Sequence, residues 1–137
     1  MAENIRLEVV TPEKEVVNAM AQIVMAPGSL GEFGVLSGHT PFMTALKTGA
    51  IHYRDEKGKD QYVFVSGGFA EALPDKVTVL AESAERMEDI DPQRAKEAME
   101  RAEKRLADER AKEEIDRARA RAALERALMR IKISGFS

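Results

Sequence analysis

Residues 28–41 read Gly-Ser-Leu-Gly-Glu-Phe-Gly-Val-Leu-Ser-Gly-His-Thr-Pro and are the most informative stretch of this 137-residue chain. The glycines recur every three or four residues, at Gly28, Gly31, Gly34 and Gly38. Because glycine suits positive φ angles and close backbone approach, this density excludes a stable helix and predicts turns between very short strands. The polar side chains here are Ser29, Glu32, Ser37, His39 and Thr40. A loop this elaborate in a small protein is typical of a surface that meets a partner.

The sequence on both sides of this stretch has the pattern of short strands separated by turns. Ile5, Leu7 and Val9 alternate with more polar residues, which is typical of a half-buried strand. Further strands are predicted at residues 23–25, 42–46, 50–54, 61–65, 69–73 and 77–80. Turn residues such as Pro27-Gly28 and Pro74-Asp75 separate them. We therefore expect an N-terminal antiparallel β-sandwich of about ten short strands over residues 1–86.

After residue 84 the composition changes to that of helices. Asp91 can cap a helix N-terminus, and Pro92 suits the first helical position. The residues that follow are mostly Ala, Glu, Arg, Lys, Leu and Met, which favour helices. Repulsion between Glu109 and Glu113 makes a break at residues 108–114 plausible. The sequence thus predicts helices at 91–107 and 114–132, which form a C-terminal antiparallel hairpin within a second unit, residues 87–137.

The apolar faces of these helices are thin. The first face is predicted to consist of Ala95, Ala98, Met99, Ala102 and Leu106. The second is predicted to consist of Ile115, Ala118, Ala122, Leu124, Ala127, Leu128 and Ile131. Alanine buries little area, so these faces gain little hydrophobic free energy against the entropy of ordering the chain. We expect a hairpin that docks, undocks or extends at low cost.

Several functional classes find no support in the composition. Cysteine is absent, which excludes disulfides and thiolate metal sites. No metal-ligand cluster, dinucleotide fingerprint or nucleophile with a nearby base is evident, and the two histidines, His39 and His52, lie on separate segments. We expect a protein without enzymatic activity, required cofactor or metal. The apolar runs are too short for a membrane span and the N-terminus lacks the pattern of a secretory signal, which favours a soluble cytoplasmic protein.

Positive charge is concentrated near the C-terminus. The basic residues between positions 117 and 132 are Arg117, Arg119, Arg121, Arg126, Arg130 and Lys132. Glu125 is the one acidic residue in that segment, although the whole chain has a formal net charge of -3. This asymmetry indicates an anionic partner for the C-terminal end.

The spacing of the arginines suggests anion binding. Arg94 stands at the third position of the first helix, where the helix macrodipole disfavours a cation. Arg126 and Arg130 are one turn apart without a carboxylate between them on that face, so they should repel unless an anion lies there. Guanidinium groups suit phosphates and carboxylates. The alternative is a solvated face on which the arginines pair with Glu97, Glu100 and Glu103, and periodicity alone leaves it open.

Taken together, the two halves resemble the epsilon subunit of bacterial and chloroplast F-type ATP synthases over nearly the whole chain. The resemblance is carried by Leu-Glu-Val-Val-Thr-Pro at 7–12, Gly-Ser-x-Gly-Glu-x-Gly at 28–34, Gly-His-x-Pro at 38–41, Ser-Gly-Gly-Phe at 66–69 and Val-Thr-Val-Leu-Ala at 77–81. The family fold is a β-sandwich followed by an antiparallel helix pair, which agrees with the expectation from the residue patterns.

The resemblance implies a non-catalytic rotor subunit in the central stalk. It would bind the gamma subunit and the c ring and help couple proton-driven rotation to ATP synthesis. As a peripheral protein, it would lie at the cytoplasmic face of the bacterial inner membrane. The family's c-ring and gamma contacts would fall on Gly28, Ser29, Gly31, Glu32, Gly34 and His39.

The resemblance also implies regulation by the helices. When extended along gamma, they would block ATP hydrolysis by placing basic residues against the alpha and beta catalytic subunits. These residues are Arg117, Arg119, Arg121, Arg126 and Arg130. Some bacterial members bind ATP on the folded hairpin through an Ile-Asp-x-x-Arg-Ala motif, which stands here at 90–95. By resemblance, the residues for this regulatory ATP would be Glu85, Ile90, Asp91, Arg94, Ala95, Arg101, Arg126 and Arg130.

Two other hypotheses compete with this one. An independent enzyme on a small β scaffold would need a convergent polar pocket, for which the sequence offers no motif. A nucleic-acid-binding protein could use the arginine-rich helix. That helix lacks interleaved aromatic residues and the chain is acidic as a whole, which disfavours this hypothesis.

Overall fold

The computed structural model describes residues 3–108 and 114–136, in which a β-sheet unit is followed by two helices. Nine strands occur within these residues, rather than the ten or so expected. They are β1 (Ile5–Val10), β2 (Glu15–Gly28), β3 (Gly31–Val35), β4 (Phe42–Ala45), β5 (Gly49–Asp55), β6 (Asp60–Ser66), β7 (Phe69–Leu73), β8 (Lys76–Leu80) and β9 (Ser83–Arg86). The predicted fold class, a β-sandwich followed by two helices, is confirmed.

The strands form one sheet that folds over a shared apolar core. Their order is β4-β7-β8-β1-β2-β5-β6-β9, and β3 pairs with the end of β2. All pairs are antiparallel except β1 and β8, which run parallel. Ile5, Leu7 and Val9 are fully buried in the core, as the alternation in β1 predicts.

The glycine-rich stretch differs from its prediction. The strand predicted at 23–25 extends from Glu15 to Gly28, and β3 replaces part of the expected run of turns. Pairing explains this, because Val24 lies opposite Val35 and Pro27 opposite Glu32. Pro27 is tolerated one residue from the strand end, where its carbonyl accepts a hydrogen bond from the Lys47 N–H at 3.0 Å. The stretch is therefore a β-hairpin followed by a short loop.

Strand β9 was not predicted. Its sequence Ser-Ala-Glu-Arg has no apolar alternation, so no local pattern marks it. It forms because β6 offers an open edge, on which Val65 pairs with Ala84 and Val63 with Arg86. The division of the chain into units 1–86 and 87–137 stays a prediction.

The helices begin and end close to their predicted bounds. A short 3₁₀ helix, Met87–Asp89, leads to α1 (Pro92–Ala107), and α2 spans Glu114–Ser134. Asp91 caps α1, since its carboxylate accepts hydrogen bonds from the Gln93 and Arg94 N–H groups at 3.1 and 3.2 Å. The interruption attributed to Glu109 and Glu113 lies outside the described residues.

The apolar face of α1 is confirmed, whereas that of α2 is confirmed only in part, with Ala127 buried as predicted. Ala95 and Ala102 of α1 are buried. In α2 the side chains of Ile115 and Leu128 are 64% and 48% exposed, and Ala118 and Ala122 are exposed as well. The buried residues of α2 are Ala120, Ala127 and Ile133. Because alanines surround α2, several faces satisfy helical spacing, and only the contacts with α1 and the sheet select one.

A second apolar cluster attaches the helices to the sheet. Phe64, Ile90 and Ile133 are buried in it. The partly buried residues packed against these three are Ala50, Tyr62, Met87, Met129 and Phe136. The α2 residues in this cluster, Met129 and Ile133, lie near its C-terminal end, and Ile133 lies beyond the helix end predicted at residue 132.

We expect Ile133→Ala to loosen the docking of α2. Ile133 is completely buried, so its truncation removes apolar contacts and leaves a cavity, at a cost of about 2–5 kcal/mol. Hydrogen exchange of the full chain should show faster exchange across α2 while the strands stay protected. Leu128→Ala is the matched control, because its side chain is half exposed. Unchanged protection of α2 in Ile133→Ala would show that this cluster does not hold the helix.

Candidate functional site

The hairpin of β2 and β3 projects its tip into solvent. Gly28 pairs with Gly31, and Ser29 and Leu30 form the turn, in which Leu30 is 99% exposed. A Cβ atom on Gly28 would lie 2.6 Å from the carbonyl oxygen of Gly31, so only glycine permits this closure. The tip thus combines an exposed leucine with an exposed carboxylate, that of Glu32.

The predicted contact residues are mostly gathered in this hairpin. Gly28, Ser29, Gly31, Glu32 and Gly34 all lie on it. The Ser29 N–H donates to the Ala45 carbonyl at 2.9 Å, which fixes the turn of the hairpin to β4.

His39 lies on the loop that follows the hairpin. Its ring packs edge-on against Phe42 at 5.0 Å, and Phe42 packs edge-on against Phe33 at 5.1 Å. His39 is therefore connected to the hairpin through aromatic packing, since Phe33 belongs to β3.

An exposed apolar surface on the sheet was not predicted. Phe69 and Leu80 lie opposite each other on β7 and β8, and each is 57% exposed. They border a groove of about 620 Å³. Its lining consists of Val10, Thr11, Pro12, Leu46, Gly67, Gly68, Phe69, Leu80, Ala81 and Glu82. The signal in the sequence was apolar residues at the outward positions of amphipathic strands, where polar ones are expected.

A polar cavity of about 320 Å³ lies where the two helices meet β9 and the 3₁₀ helix. Its lining consists of Glu85, Asp89, Asp91, Arg94, Ala95, Ala98, Arg101, Ala127 and Arg130. Six residues of the predicted ATP set are brought together here, namely Glu85, Asp91, Arg94, Ala95, Arg101 and Arg130. Ile90 is instead buried in the apolar cluster, and Arg126 is partly buried outside the lining. Sequence reasoning missed Asp89, Ala98 and Ala127.

Arg130 is neutralised within the protein, contrary to the prediction from helix spacing. Its Nε donates to Oε1 of Glu85 at 3.1 Å. Its guanidinium carbon lies 4.1 Å from the ring centre of Phe64. The prediction of an unpaired Arg126–Arg130 couple considered only residues of the same helix, whereas the carboxylate comes from β9.

The alternative, a solvated helix face with ion pairs of its own, is correct in that Arg94 and Arg101 are exposed, but its ion pairs are not found. Among the described residues, neither Arg94 nor Arg101 has a carboxylate within 4.0 Å, so the expected pairs with Glu97, Glu100 and Glu103 do not form. The two guanidinium groups border the cavity instead. The lining carries three carboxylates and three guanidinium groups, which makes it formally neutral before any ligand binds.

The arginines of α2 occupy different environments. Arg119 and Arg121 are exposed, whereas Arg117, Arg126 and Arg130 are partly buried. Arg117 donates to the Leu106 carbonyl at 3.4 Å, near the end of α1. In this arrangement the five arginines do not share one open face.

His52 belongs to an aromatic stack beside the second apolar cluster. Its ring lies parallel to Tyr62 at 4.5 Å, and Tyr62 contacts Phe136 at 4.7 Å. The Asp60 carboxylate is 3.2 Å from His52 Nε2, and the hydrogen bond from His52 lowers the pKa of Asp60. These contacts give His52 a structural role.

Within residues 3–108 and 114–136, no group of three or more His, Asp or Glu side chains is arranged to hold a metal ion. In the same ranges, neither helix combines the length and apolarity that a membrane crossing requires.

Two family models together match nearly the whole chain. The beta-sandwich domain of the ATP synthase delta/epsilon chain matches residues 4–87, and its long alpha-helix domain matches residues 88–135. The chain belongs to the ATP synthase epsilon-chain family. Its function is that of an epsilon subunit of an F-type ATP synthase, as the resemblance implied.

Named relatives in the family are bacterial. The ATP synthase epsilon chain of Desulfosudis oleivorans is 71% identical over 77% of this chain and 80% of its own length. The epsilon chain of Desulforapulum autotrophicum is 63% identical over 79% of this chain and 80% of its own length.

Solved structures agree on the family fold. A chain of the Euglena gracilis mitochondrial ATP synthase, in a structure of OSCP, F1 and c ring, superposes with a TM-score of 0.76 at 25% identity. The superposition covers 91% of this chain and 78% of that chain. A chain of the Tetrahymena thermophila central stalk and c ring has a TM-score of 0.61 at 12% identity, covering 97% and 98%, and shows the fold alone.

Proposed function

We propose that this epsilon subunit is a rotor element of the central stalk that couples proton-driven rotation to ATP synthesis. The observation that carries the proposal is the superposition on a chain of an ATP synthase structure that contains F1 and the c ring. In this proposal the protein has no catalytic role of its own. It lies peripherally at the cytoplasmic face of the bacterial inner membrane.

The glycine-rich hairpin is the proposed contact with the c ring. Its tip residues Ser29 and Leu30 are exposed, and Glu32, which is also exposed, supplies a charge for the polar loops of such a ring. His39 supports the contact from the neighbouring loop through its packing on Phe42.

The apolar groove beside Phe69 and Leu80 is the proposed contact with the gamma subunit. Exposed apolar surfaces on small soluble domains are typical of protein interfaces. Both side chains lie on strands inside the sheet, which gives the surface a rigid base.

We expect Phe69→Asp with Leu80→Asp to abolish stable binding to the complex. Two carboxylates would be desolvated without partners at an apolar interface, which costs several kcal/mol. The check is co-purification of the tagged chain with the membrane complex of its own bacterium. Leu128→Asp, on the outer side of α2, is the control and should co-purify normally. Retention of the double variant would exclude this surface as the gamma contact, and failure of the unaltered chain to co-purify would refute the rotor assignment.

The helices are the proposed inhibitory element. Their attachment to the sheet depends on a small cluster around Ile133, so release of that cluster frees α2 and its arginines. Arg119 and Arg121 are exposed to solvent in the docked state, so an acidic partner could reach them. Inhibition would require contact with the alpha and beta subunits in the extended state.

A chain ending at residue 88 should support assembly and raise ATPase activity, because the proposed inhibitor is missing while the β-core residues remain. The measurement is ATP hydrolysis and ATP-driven proton pumping in membranes carrying the truncated or the full chain. A truncated subunit that assembles without raising hydrolysis would argue against an inhibitory role for the helices.

ATP is the proposed regulatory ligand of the polar cavity. Arg94 and Arg101 have no ion-pair partner within the described parts of the chain, and they border a cavity that also contains the Asp91 helix cap. Asp91 and Arg94 belong to the motif at 90–95, and Arg101 joins them from further along α1. Guanidinium groups bind phosphates by paired hydrogen bonds.

We expect the full chain to bind ATP, and Arg101→Ala to weaken binding by about tenfold, as for loss of one charge-assisted contact. Isothermal titration measures this. Arg119→Ala is the charge-matched control, because Arg119 is exposed on α2 and does not border the cavity. Equal weakening by both variants would indicate a general charge effect. Absence of binding to the unaltered chain would remove ATP as a ligand.

A further inference from the structure

His52 lies on the face of the sheet that receives α2. The alternation of side chains along β5 places Ala50 and His52 on this face, whereas Ile51 and Tyr53 point into the sandwich core. On the neighbouring strand β6, Tyr62 lies directly opposite His52. The His52 ring is therefore at the border of the area on which the end of α2 is docked.

Two ring contacts connect His52 to the segment that follows α2. The His52 ring stacks on Tyr62 at 4.5 Å with an interplanar angle of 14°, and Tyr62 contacts the ring of Phe136 at 4.7 Å. The Phe136 N–H donates to the Ile133 carbonyl at 2.9 Å. Since Ile133 is buried in the cluster that attaches α2 to the sheet, the contact between Phe136 and Tyr62 depends on the docking of this helix.

The docked helix also encloses the space beside the His52 ring. His52, Met129 and Phe136 border one cavity of about 540 Å³ between the sheet and α2. Although 38% of the His52 side chain is exposed, its Nε2 atom is buried. Release of α2 would remove Met129 and Phe136 from this border and let water reach the ring. Docking therefore dehydrates His52, which disfavours the protonated form of its ring.

We propose that His52 makes the docking of α2 sensitive to pH, so that protonation of its ring favours release of the helices. Histidine is the side chain whose charge ordinarily changes between about pH 5 and about pH 8. Because the released state accepts the proton more readily than the docked state, acidification shifts the equilibrium toward release. The proposal rests on the proposed inhibitory role of the helices, and acidification would then favour inhibition of ATP hydrolysis.

The charged groups nearest to His52 belong to the sheet and do not depend on docking. The Asp60 carboxylate of β6 lies 3.2 Å from Nε2 and favours the protonated ring in both states. Arg54 of β5 lies 3.4 Å from the same carboxylate oxygen and weakens that effect in both states. The two groups set how readily His52 takes up a proton, but they do not by themselves couple the proton to α2.

The other charged residues that border the cavity come in opposite pairs. The helix α2 brings Glu125 and Lys132, both of which are exposed. The hairpin and the segment before β5 contribute Glu32 and Lys47, which are also exposed. In each pair the formal charges cancel, so docking adds no net charge to the surroundings of His52. Dehydration of the ring is therefore the effect of docking that decides the direction of the pH dependence.

The sequence contains no cysteine, so a single introduced thiol can report the release of α2 in the full chain. The reporter is Ile133→Cys, which is buried when α2 is docked and weakens docking enough to make release measurable. Its rate of reaction with a pyridyl disulfide is divided by that of Leu128→Cys, which is half exposed on the same helix, to correct for titration of the thiol. We expect this ratio to rise by about threefold to tenfold between pH ~8 and pH ~5.5.

Four further variants separate His52 from other causes. In the reporter background, His52→Gln should make the ratio independent of pH, because no ring titrates beside α2. His39→Gln is the matched control and should keep the acid response, since His39 is the other histidine of the chain and packs on Phe42. Val24→Cys, buried in the sheet core, reports unfolding of the sheet and should not become more reactive relative to Leu128→Cys. Met129→Cys is a second reporter from the same cluster, for use if Ile133→Cys does not fold.

A ratio that falls or stays constant as the pH is lowered would overturn the inference. An acid response that persists in His52→Gln, or that is shared by Val24→Cys, would overturn it as well. The measurement needs neither nucleotide nor the rest of the complex. An unfavourable result therefore refutes this inference alone, whereas the inhibitory role of the helices is tested separately by the chain that ends at residue 88.

Discussion

The ring of Phe64 is fully buried, yet it lies outside the main core of the sheet. Its neighbours Val63 and Val65 pack into that core, so the alternation of side chains along β6 turns Phe64 to the opposite face. There it packs with Ile90 and Ile133 and supports the guanidinium group of Arg130. Phe64 therefore takes part in the attachment of the helices and also supports Arg130 at the border of the polar cavity.

The helices need this cluster because they bury few other apolar side chains. The buried residues of α1 are two alanines, and those of α2 are two alanines and Ile133. Alanines allow α1 and α2 to approach closely, but they bury little apolar area against the sheet. The helices are therefore held to the sheet by a small apolar cluster near the end of α2, which suits the regulatory role proposed for them.

The sandwich, in contrast to the helices, has a large apolar core. Its core contains apolar residues from β1, β2, β3, β5, β6, β7 and β8, so it is a rigid support for whatever projects from it. The glycine-rich hairpin and the apolar groove lie on this support. Surfaces that transmit rotation should be rigid, and the part of the chain that switches should be weakly attached. The distribution of buried apolar area in this molecule fits these two proposed roles.

Much of this arrangement could be predicted from local pattern. Alternation marked β1, Asp91-Pro92 marked the start of α1, and the motif at 90–95 brought four candidate residues to one place in the chain. Strand β9 could not be predicted, because its hydrogen bonds come from an edge of β6 that exists only in the folded sheet. The extension of β2 through Pro27 was missed for a similar reason, since its partner strand was read as turns.

The sequence by itself determined the two-part architecture, the glycine-rich hairpin and the family, because periodicity, turn chemistry and motif spacing are local properties of the chain. Only the tertiary structure decided which face of α2 is buried and which anion holds Arg130. Several faces of an alanine-rich helix are equivalent until α1 and the sheet contact one of them. The carboxylate that pairs with Arg130 lies 45 residues away in the chain and reaches it only when β9 joins the sheet.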